Sequence, residues 1–367
     1  SGQSNMQWVV NNVTNAEVEK KNANYSQIRT LNIPRRMELS PKDTISTTWL
    51  VCSPETVGHF SGVAYFFAKK VYEETNIPIG IINSSWGGTI VETWTSLEAA
   101  NTLPQKRLDR YNKNEKLFPP TEYLTRKNKE AKRNDYPSLV YNAMIHPLLS
   151  FSIKGVLWYQ GENNVGNAEP YTDWLTCMIG DWRNRWNSEL PFYIIQLPNF
   201  DSTNKTPLWA EIRDAQRKVL TVPKTHLIVT SDLGDPHDLH PRNKQEVGMR
   251  VALQVLHHEY GRPDIVSESP MFERMEINGD KIIITFKNTG SGLEIRSRYG
   301  CLQGFTIAGE DKKFYWAQGE LKDNRIVIWN PKVPNPIAVR YNWENNPDGN
   351  LYNKDGLPAC LFRTDNW

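Results

Sequence analysis

A serine in a tight turn and a histidine beside an aspartate are the residues of this chain best suited to chemistry. Residues 1–6 read Ser-Gly-Gln-Ser-Asn-Met and place Ser4 two positions after Gly2. A serine hydroxyl attacks a carbonyl only when a base takes its proton and hydrogen-bond donors receive the resulting oxyanion. Ser4 is therefore the candidate nucleophile, and the rest of the chain must supply a base and donors.

The candidate base lies in a turn-rich segment, residues 231–241, which reads SDLGDPHDLHP. Residues two apart in an extended segment point the same way, so Asp238 and His240 can share one side of the loop. His240 can then take the Ser4 proton while a carboxylate holds its other ring nitrogen. A metal site that uses His237, His240 and the aspartates is a weaker alternative, because no third His or Cys stands at a recognisable spacing.

Donors for an oxyanion follow two predicted strands. Residues 77–83 form a short buried strand that runs into Ser-Ser-Trp-Gly-Gly-Thr at 84–89. Residues 152–159 form a second strand that ends in Gln-Gly-Glu-Asn-Asn at 160–164. Glycines at a strand end let backbone N–H groups approach a ligand, and side-chain amides can add further donors.

Strands and helices alternate through the part of the chain that holds these residues. Hydrophobic spacing predicts helices over 53–74, 171–186, 210–220 and 245–260, and strands over 77–83, 152–159, 192–197 and 226–230. This alternation predicts an α/β fold with a parallel sheet covered by helices on both faces, and a ligand site beyond the carboxyl ends of the strands.

The remaining segments have weaker patterns. Residues 7–50 are polar and irregular and are predicted to form a long loop, and residues 97–137 are predicted to be an insertion over one face. After about residue 265, short alternating runs are separated by Gly, Asn, Asp and Pro. We therefore predict a catalytic α/β domain over 1–264 and a β-rich module over 265–367.

Composition excludes several classes of partner. The 367 residues carry 43 Lys and Arg against 41 Asp and Glu, so neither nucleic acid nor an anionic membrane is indicated as a partner. No apolar run reaches the roughly 18 to 20 residues that a bilayer span needs. The 4 cysteines are widely spaced without a metal-binding pattern.

The 40 aromatic residues (13 Trp, 15 Tyr and 12 Phe) also suit a non-catalytic sugar-binding protein, which is the alternative hypothesis of a different functional class.

The turn at 1–6 is not a Gly-x-Ser-x-Gly elbow, because Met6 occupies the second glycine position. It resembles the first block of the SGNH (GDSL-like) hydrolases, in the branch that contains the sialate O-acetylesterases and related carbohydrate acetylesterases. Matching motifs follow in order: Cys-Ser-Pro-Glu-Thr at 52–56, Ser-Trp-Gly-Gly-Thr at 85–89, Trp-Tyr-Gln-Gly-Glu at 158–162, Arg-Asp-Ala-Gln at 213–216, Asp-Leu-His-Pro-Arg-Asn-Lys at 238–244, and tail segments at 339–343, 350–353, 356–358 and 362–365.

The resemblance implies an SGNH-like three-layer α/β/α fold and a serine esterase without metal or organic cofactor. Its substrate would be an O-acetylated sugar or glycan, a sialic acid in the first place, with acetylated plant polysaccharide such as xylan as the alternative. Ser4 would be the nucleophile and form an acetyl-enzyme, and His240 would be the base.

The family pattern leaves two assignments open. The oxyanion donors would be the Ser4 N–H, a glycine and a side-chain amide. The glycine is Gly88 or alternatively Gly87, and the amide is Asn163 or alternatively Asn164 or Gln160. The superfamily's last block is Asp-x-x-His, but His237 stands three positions before His240. The acid is therefore Asp238 or, as the alternative, Asp235.

Substrate contacts and location rest on the same resemblance. Gln160, Glu162 and Arg213 are the candidate substrate-binding residues, and the Arg213 guanidinium is a candidate partner for a sialic acid carboxylate. The resemblance also implies an extracytoplasmic location, periplasmic, secreted or lysosomal. A chain that begins inside a motif would show no signal peptide.

The start of the chain carries one further expectation. In a doubly wound sheet the nucleophile turn follows a strand, so we expect an upstream segment of the same polypeptide to supply a strand beside residues 77–83 or 152–159 that runs into Ser1. The resemblance adds an upstream β-domain packed near residues 265–367.

Overall fold

Parallel strands and helices alternate around one sheet, as the sequence predicts. The computed structural model describes residues 1–108, 136–201 and 206–367. The α-helices are α1 (Ser4–Gln7), α2 (Ala16–Asn22), α3 (Gly62–Thr75), α4 (Leu97–Ala100), α5 (Ala168–Trp186), α6 (Leu208–Lys218) and α7 (Lys244–Glu259). The strands of this part are β1 (Tyr25–Asn32), β2 (Trp49–Cys52), β3 (Ile79–Asn83), β4 (Val156–Trp158), β5 (Phe192–Ile195) and β6 (Thr225–Ile228). Short 3₁₀ helices cover Val10–Asn12, Val57–His59, Val91–Trp94, His146–Leu148, Glu162–Asn164 and Val219–Thr221, and a π-helix covers Tyr141–Ile145.

The sheet consists of two halves joined by the first residues of the chain. One half has the order β2-β1-β3, with β1 and β3 parallel, and the other is β4-β5-β6, all parallel. Gly2 forms parallel bridges with both Ser85 and Tyr159. The backbone N–H of Trp86 donates to Gly2 O at 3.0 Å, and the Tyr159 N–H donates to Ser1 O at 3.1 Å. Residues 1–3 therefore run between β3 and β4, where we expected the strand before Ser4; the upstream segment itself stays a prediction.

Close packing holds the helices against the sheet. Trp158 on β4 packs edge-on against Trp94 and Trp182, with interplanar angles of 86° and 88°. Gly248 brings α7 against α3, because a Cβ at this position would lie 2.7 Å from the Val63 carbonyl oxygen. These contacts bury the three tryptophan side chains almost completely and bring two helices into close contact.

Several predicted boundaries are wrong. Residues 7–50 are not one loop, since they contain α2 and β1. In β1 only Ile28, Thr30 and Leu31 are buried. The other residues of the strand do not supply the regular apolar alternation by which a strand is predicted from sequence. The helix predicted from residue 53 begins at Gly62, where the Ser61 side chain caps it by accepting from the Ala64 N–H. Most of the insertion predicted over 97–137 lies outside the described residues.

The β-rich module consists of antiparallel sheets. Its strands are β7 (Met271–Asn278), β8 (Lys281–Lys287), β9 (Leu293–Ile295), β10 (Phe305–Ala308), β11 (Phe314–Trp316), β12 (Gln318–Lys322), β13 (Arg325–Trp329), β14 (Ala338–Tyr341), β15 (Leu351–Asn353) and β16 (Phe362–Arg363). They pair in the orders β12-β13-β8-β7, β11-β10-β14-β16 and β15-β9. The alternating runs predicted strands at 281–287, 292–297, 304–309, 325–329 and 337–343, and they missed β7, β11, β12, β15 and β16. Most residues of β7 and β12 are exposed, so these two strands carry little apolar alternation.

Two further properties concern membrane-spanning helices and the cysteines. Within the described residues, no helix combines the length and apolar character needed to cross a bilayer. Cys52, Cys177, Cys301 and Cys360 are free thiols.

We predict that Gly2→Ala lowers the free energy of unfolding by about 2 kcal/mol or more, the cost of a strained backbone position. Gly2 has φ of +137°, and a Cβ there would lie 2.1 Å from the Tyr159 carbonyl oxygen. The matched control is Gly180→Ala on α5, where a Cβ meets nothing within 4 Å. That change should be neutral or stabilise by up to about 1 kcal/mol. Urea unfolding measures both, and equal stability of Gly2→Ala and wild type would contradict the prediction.

Candidate functional site

Ser4 begins a single helical turn at the carboxyl edge of the sheet. The N–H groups of Met6 and Gln7 donate to the Gln3 carbonyl at 3.0 and 2.9 Å, and the Trp8 N–H donates to the Ser4 carbonyl at 2.9 Å. The turn follows directly on the residues that pair with both sheet halves. Ser4 is half-buried, and its position is therefore fixed by backbone hydrogen bonds on both sides.

The side chain of Gln3 fastens the segment after β4 to this turn. Its Oε1 atom accepts from the Gln160 amide at 3.2 Å, from the Gly161 N–H at 3.2 Å and from the Asn163 N–H at 3.3 Å. Gln3 is 2% exposed. The sequence analysis did not single out Gln3, although it stands inside the motif that pointed to Ser4.

The glycine pair after β3 lies against the nucleophile turn. A Cβ on Gly87 would lie 3.1 Å from the Ser4 Cβ, and the Gly87 N–H donates to Gln7 Oε1 at 2.7 Å. Gly88 has φ of +79°, and its carbonyl accepts a hydrogen bond from the exposed Asn163 side-chain amide. The structure thus brings Ser4, the glycine pair and Asn163 together.

The other two candidate amides are buried and bonded to backbone and side chains. Asn164 accepts from the Val91 N–H at 3.1 Å and donates to Glu92 at 2.9 Å. Gln160 donates to the Thr89 carbonyl at 3.0 Å and to Asn164 at 2.8 Å. Both side chains therefore brace the loops beneath the site.

Two contacts hold His240 against the nucleophile turn. The imidazole stacks on the Trp8 indole, with ring centroids 4.8 Å apart and an interplanar angle of 9°. The Asn5 amide donates to the Leu239 carbonyl at 3.0 Å. Trp8 directly follows the turn that Ser4 begins, so the stacked imidazole lies next to the end of that turn. Its Nε2 atom is buried and has no hydrogen-bond partner within the part of the chain that the structure describes.

The two candidate acids bond to backbone N–H groups. Asp238 Oδ1 accepts from the His240 N–H at 2.8 Å, and Asp235 Oδ1 accepts from the His237 N–H at 2.8 Å. Burial, followed by the positive charge of Lys244, lowers the pKa of His240, and Asp238 opposes this shift. Asp238 is thus the carboxylate whose charge acts on the imidazole.

A buried chain of polar groups adjoins Ser4 through the next residue, Asn5. The sequence analysis named Glu162 in this chain as a candidate substrate contact and gave Asn5 and Lys244 no role. Lys244 Nζ donates to the Asn5 side-chain oxygen, and the Asn5 amide donates to Glu162 Oε1 at 2.5 Å. Lys244 is 0% exposed, and burial lowers its pKa to about 7, although Glu162 and Asp238 oppose the shift. Burial also raises the pKa of Glu162. Lys244 closes the motif at 238–244, but sequence alone does not show which way its side chain points.

Arg213 does not reach the site. It is 0% exposed, and its guanidinium donates to the carbonyls of Trp209, Glu344 and Asn345. Burial lowers its pKa to about 9. The placement gives no support to contact with a substrate carboxylate, because the side chain points inward and ties α6 to residues 344–345.

The groups at this edge suit acyl transfer. A hydroxyl at the start of a helical turn, an imidazole with a buried unpartnered nitrogen and an exposed amide are the parts that covalent ester hydrolysis requires. Among the described residues, the group of three potential metal ligands is elsewhere, at His226, His258 and Glu268, and includes none of His237, His240 and the neighbouring aspartates.

Comparisons with known proteins identify relatives of this chain. Curated relatives named sialate O-acetylesterase are 30% identical over 76% of this chain in Rattus norvegicus and 31% identical over 77% in Homo sapiens. The chain spans 59% and 56% of the length of these two relatives.

A solved structure described as a carbohydrate acetylesterase from Xanthomonas citri has the same fold. It is 36% identical, and the superposition has a TM-score of 0.89 over 100% of this chain and 79% of that chain. The predicted SGNH-like α/β fold with a C-terminal β-rich region is thereby confirmed. A family model described as carbohydrate esterase, sialic acid-specific acetylesterase, matches residues 1–257. The chain therefore belongs to the family of sialic acid-specific carbohydrate acetylesterases.

Proposed function

We propose that this chain is a serine esterase that hydrolyses O-acetyl esters of sugars, with O-acetylated sialic acid as its substrate. The observation that carries the proposal is the set of contacts around the Ser4 turn: Gly87 lies against Ser4, the Asn163 amide bonds to Gly88, and His240 stacks on Trp8. The names of the relatives favour sialic acid over plant polysaccharide and over a non-catalytic sugar-binding role.

The proposed reaction has two halves. Ser4 Oγ attacks the acetyl carbonyl carbon while His240 takes the hydroxyl proton, and the ester C–O bond then breaks as His240 returns that proton to the departing sugar oxygen. Water next attacks the acetyl carbonyl carbon while His240 takes one of its protons, the bond between that carbon and the Ser4 oxygen breaks, and His240 returns the proton to the Ser4 oxygen. The acetic acid that is released loses its remaining proton to solvent and becomes acetate. The buried Nε2 atom of His240 suits this role because no described group competes for it.

We propose the Ser4 N–H, the Gly88 N–H and the Asn163 amide as the oxyanion donors. Asn163 is exposed and lies beside Gly88, whereas Asn164 and Gln160 are buried in other hydrogen bonds. The Gly87 N–H already donates to Gln7. A donor must be oriented before the charge develops, and the bond between the Asn163 amide and the Gly88 carbonyl supplies that orientation.

Asp238 is the acid of the proposed triad. Its negative charge favours the imidazolium form of His240. Its hydrogen bond to the backbone N–H of His240 fixes the loop that carries the imidazole. Asp235 bonds to the neighbouring His237 N–H instead. The role proposed for Asp238 is thus electrostatic stabilisation of the protonated base.

The proposal extends to substrate contact and location. Among the candidate substrate residues, Gln160 and Glu162 are buried and shape the floor of the site through Gln3 and Asn5. We also propose that the protein acts outside the cytoplasm, as the family resemblance implies. Cell fractionation tests this location, and recovery of the protein only with cytoplasmic markers would contradict it.

We predict that Lys244→Met moves the acid limb of the pH profile of kcat/KM to higher pH. A base must be neutral to act, and the Lys244 charge lowers the pKa of His240. Removal of that charge makes the imidazolium easier to form, so the pKa rises. In the wild-type enzyme, where burial and Lys244 lower the pKa of His240, the midpoint of the acid limb should lie below about 6.5, the ordinary pKa of histidine.

The matched control is Arg242→Met, which removes an exposed positive charge two residues away. Solvent screens that charge, so the midpoint should stay at the wild-type value. An unchanged midpoint in Lys244→Met would show that the buried ammonium does not act on His240.

We predict that Ser4→Ala abolishes acetate release from O-acetylated sialic acid and leaves the circular dichroism spectrum unchanged. The matched control is Ser188→Ala, which alters an exposed serine after α5 and should keep full activity. Undiminished acetate release by Ser4→Ala would overturn the proposed mechanism. A higher wild-type rate on acetylated xylan than on acetylated sialic acid would overturn only the proposed substrate.

A further inference from the structure

Three potential metal ligands lie together outside the proposed catalytic site. They are His226 on β6, His258 in the last turn of α7, and Glu268 in the segment that leads into β7. We propose that these three side chains bind a divalent transition-metal ion, Zn²⁺ by their chemistry, and that the ion fastens the end of α7 to the start of the β-rich module.

The distances are short enough for one ion to reach all three ligands. One ligand atom from each residue lies within 4.8 Å of the other two. The two imidazole centroids are 4.0 Å apart, and His258 Nε2 lies 3.5 Å from Glu268 Oε1. Bonds of about 2.0–2.2 Å around a tetrahedral ion set ligand atoms about 3.4 Å apart. Small side-chain rotations therefore close the site without a change of the backbone.

Neighbouring groups hold two of the ligands in place. The Asn288 amide donates to Glu268 Oε2 at 2.5 Å, which leaves Oε1 on the side of His258. The Tyr193 ring stacks on His226, with centroids 5.0 Å apart and an interplanar angle of 17°. Ligands that are oriented in advance lose less entropy when the ion binds, and such supporting contacts are typical of metal sites.

The donor set favours zinc over the common hard cations. Two imidazoles and one carboxylate are typical zinc ligands, with water in the fourth position. Mg²⁺ and Ca²⁺ prefer oxygen ligands alone. His258 is exposed, so an ion can reach the group from solvent.

The position predicts a structural role. His226 is the second residue of β6, whereas the loop that carries His240 follows the other end of that strand. The ion would therefore lie at the end of β6 opposite the Ser4 site. Its ligands come from β6, α7 and the segment before β7, so binding would join elements that are far apart in the sequence.

The test uses the whole chain after treatment with EDTA and dialysis. Calorimetric titration with ZnCl₂ should show one ion per chain with micromolar or tighter affinity, and thermal unfolding should occur at higher temperature with Zn²⁺ but not with Mg²⁺. His226→Ala and Glu268→Gln should each weaken the affinity by about 100-fold or more, since loss of a group that merely orients a ligand already costs about 10–100-fold. Glu268→Gln keeps the side-chain shape, so its result does not depend on misfolding.

The matched control is His59→Ala, which removes an exposed histidine from another part of the chain and should leave zinc affinity unchanged. The proposal fails if no zinc binds at micromolar concentration, or if His226→Ala and Glu268→Gln bind it as wild type does. In either case His258 and Glu268 form an ion pair only. At a temperature where circular dichroism shows the metal-free protein to be folded, acetate release should be the same with and without EDTA, and its loss under that condition would contradict the structural role.

Discussion

The pairing of residues 1–3 with both halves of the sheet is the constraint on which the proposed site depends. Gly2 bridges Ser85 and Tyr159, the residues that continue β3 and β4. The Tyr159 carbonyl lies so close to Gly2 that no side chain fits there. The side chain of the next residue, Gln3, accepts three hydrogen bonds from the segment after β4. Ser4 then begins the helical turn. The nucleophile position is thus set by backbone pairing that buried hydrogen bonds reinforce.

The electrostatic setting of the site depends on a buried cation. Lys244 reaches the turn through Asn5, whose amide also binds Glu162. Removing a charge from water is costly unless a partner compensates, and the Asn5 bridge joins the ammonium to a carboxylate. The same Asn5 amide binds the Leu239 carbonyl, next to the base. The Asn5 side chain therefore connects the nucleophile turn to the loop that carries His240 and to the buried Lys244 and Glu162.

The sequence predicted the fold class, because alternating strands and helices leave a clear hydrophobic pattern. It also placed Ser4, Gly88, Asn163 and His240 in compact motifs at strand ends, and their catalytic roles stay predictions. It did not predict the direction of side chains within helices. Arg213 looked like a substrate contact but points inward, and Lys244 received no role although it contacts Asn5, the residue after Ser4. It also missed β1, since tertiary pairing, and not apolar alternation, makes that polar segment a strand. The ligands His226, His258 and Glu268 lie in three separate elements, so no spacing pattern connects them.

The most direct test of the account is to find the acetyl group during turnover. The enzyme is mixed with an aryl acetate, quenched in acid within one turnover and digested with trypsin for mass spectrometry. We predict one added acetyl group on the peptide that ends at Lys20, with fragmentation placing it on Ser4 and not on Ser1. Detection of the acetyl group on another residue, or turnover without any acetylated peptide, would contradict the claim that Ser4 is the nucleophile.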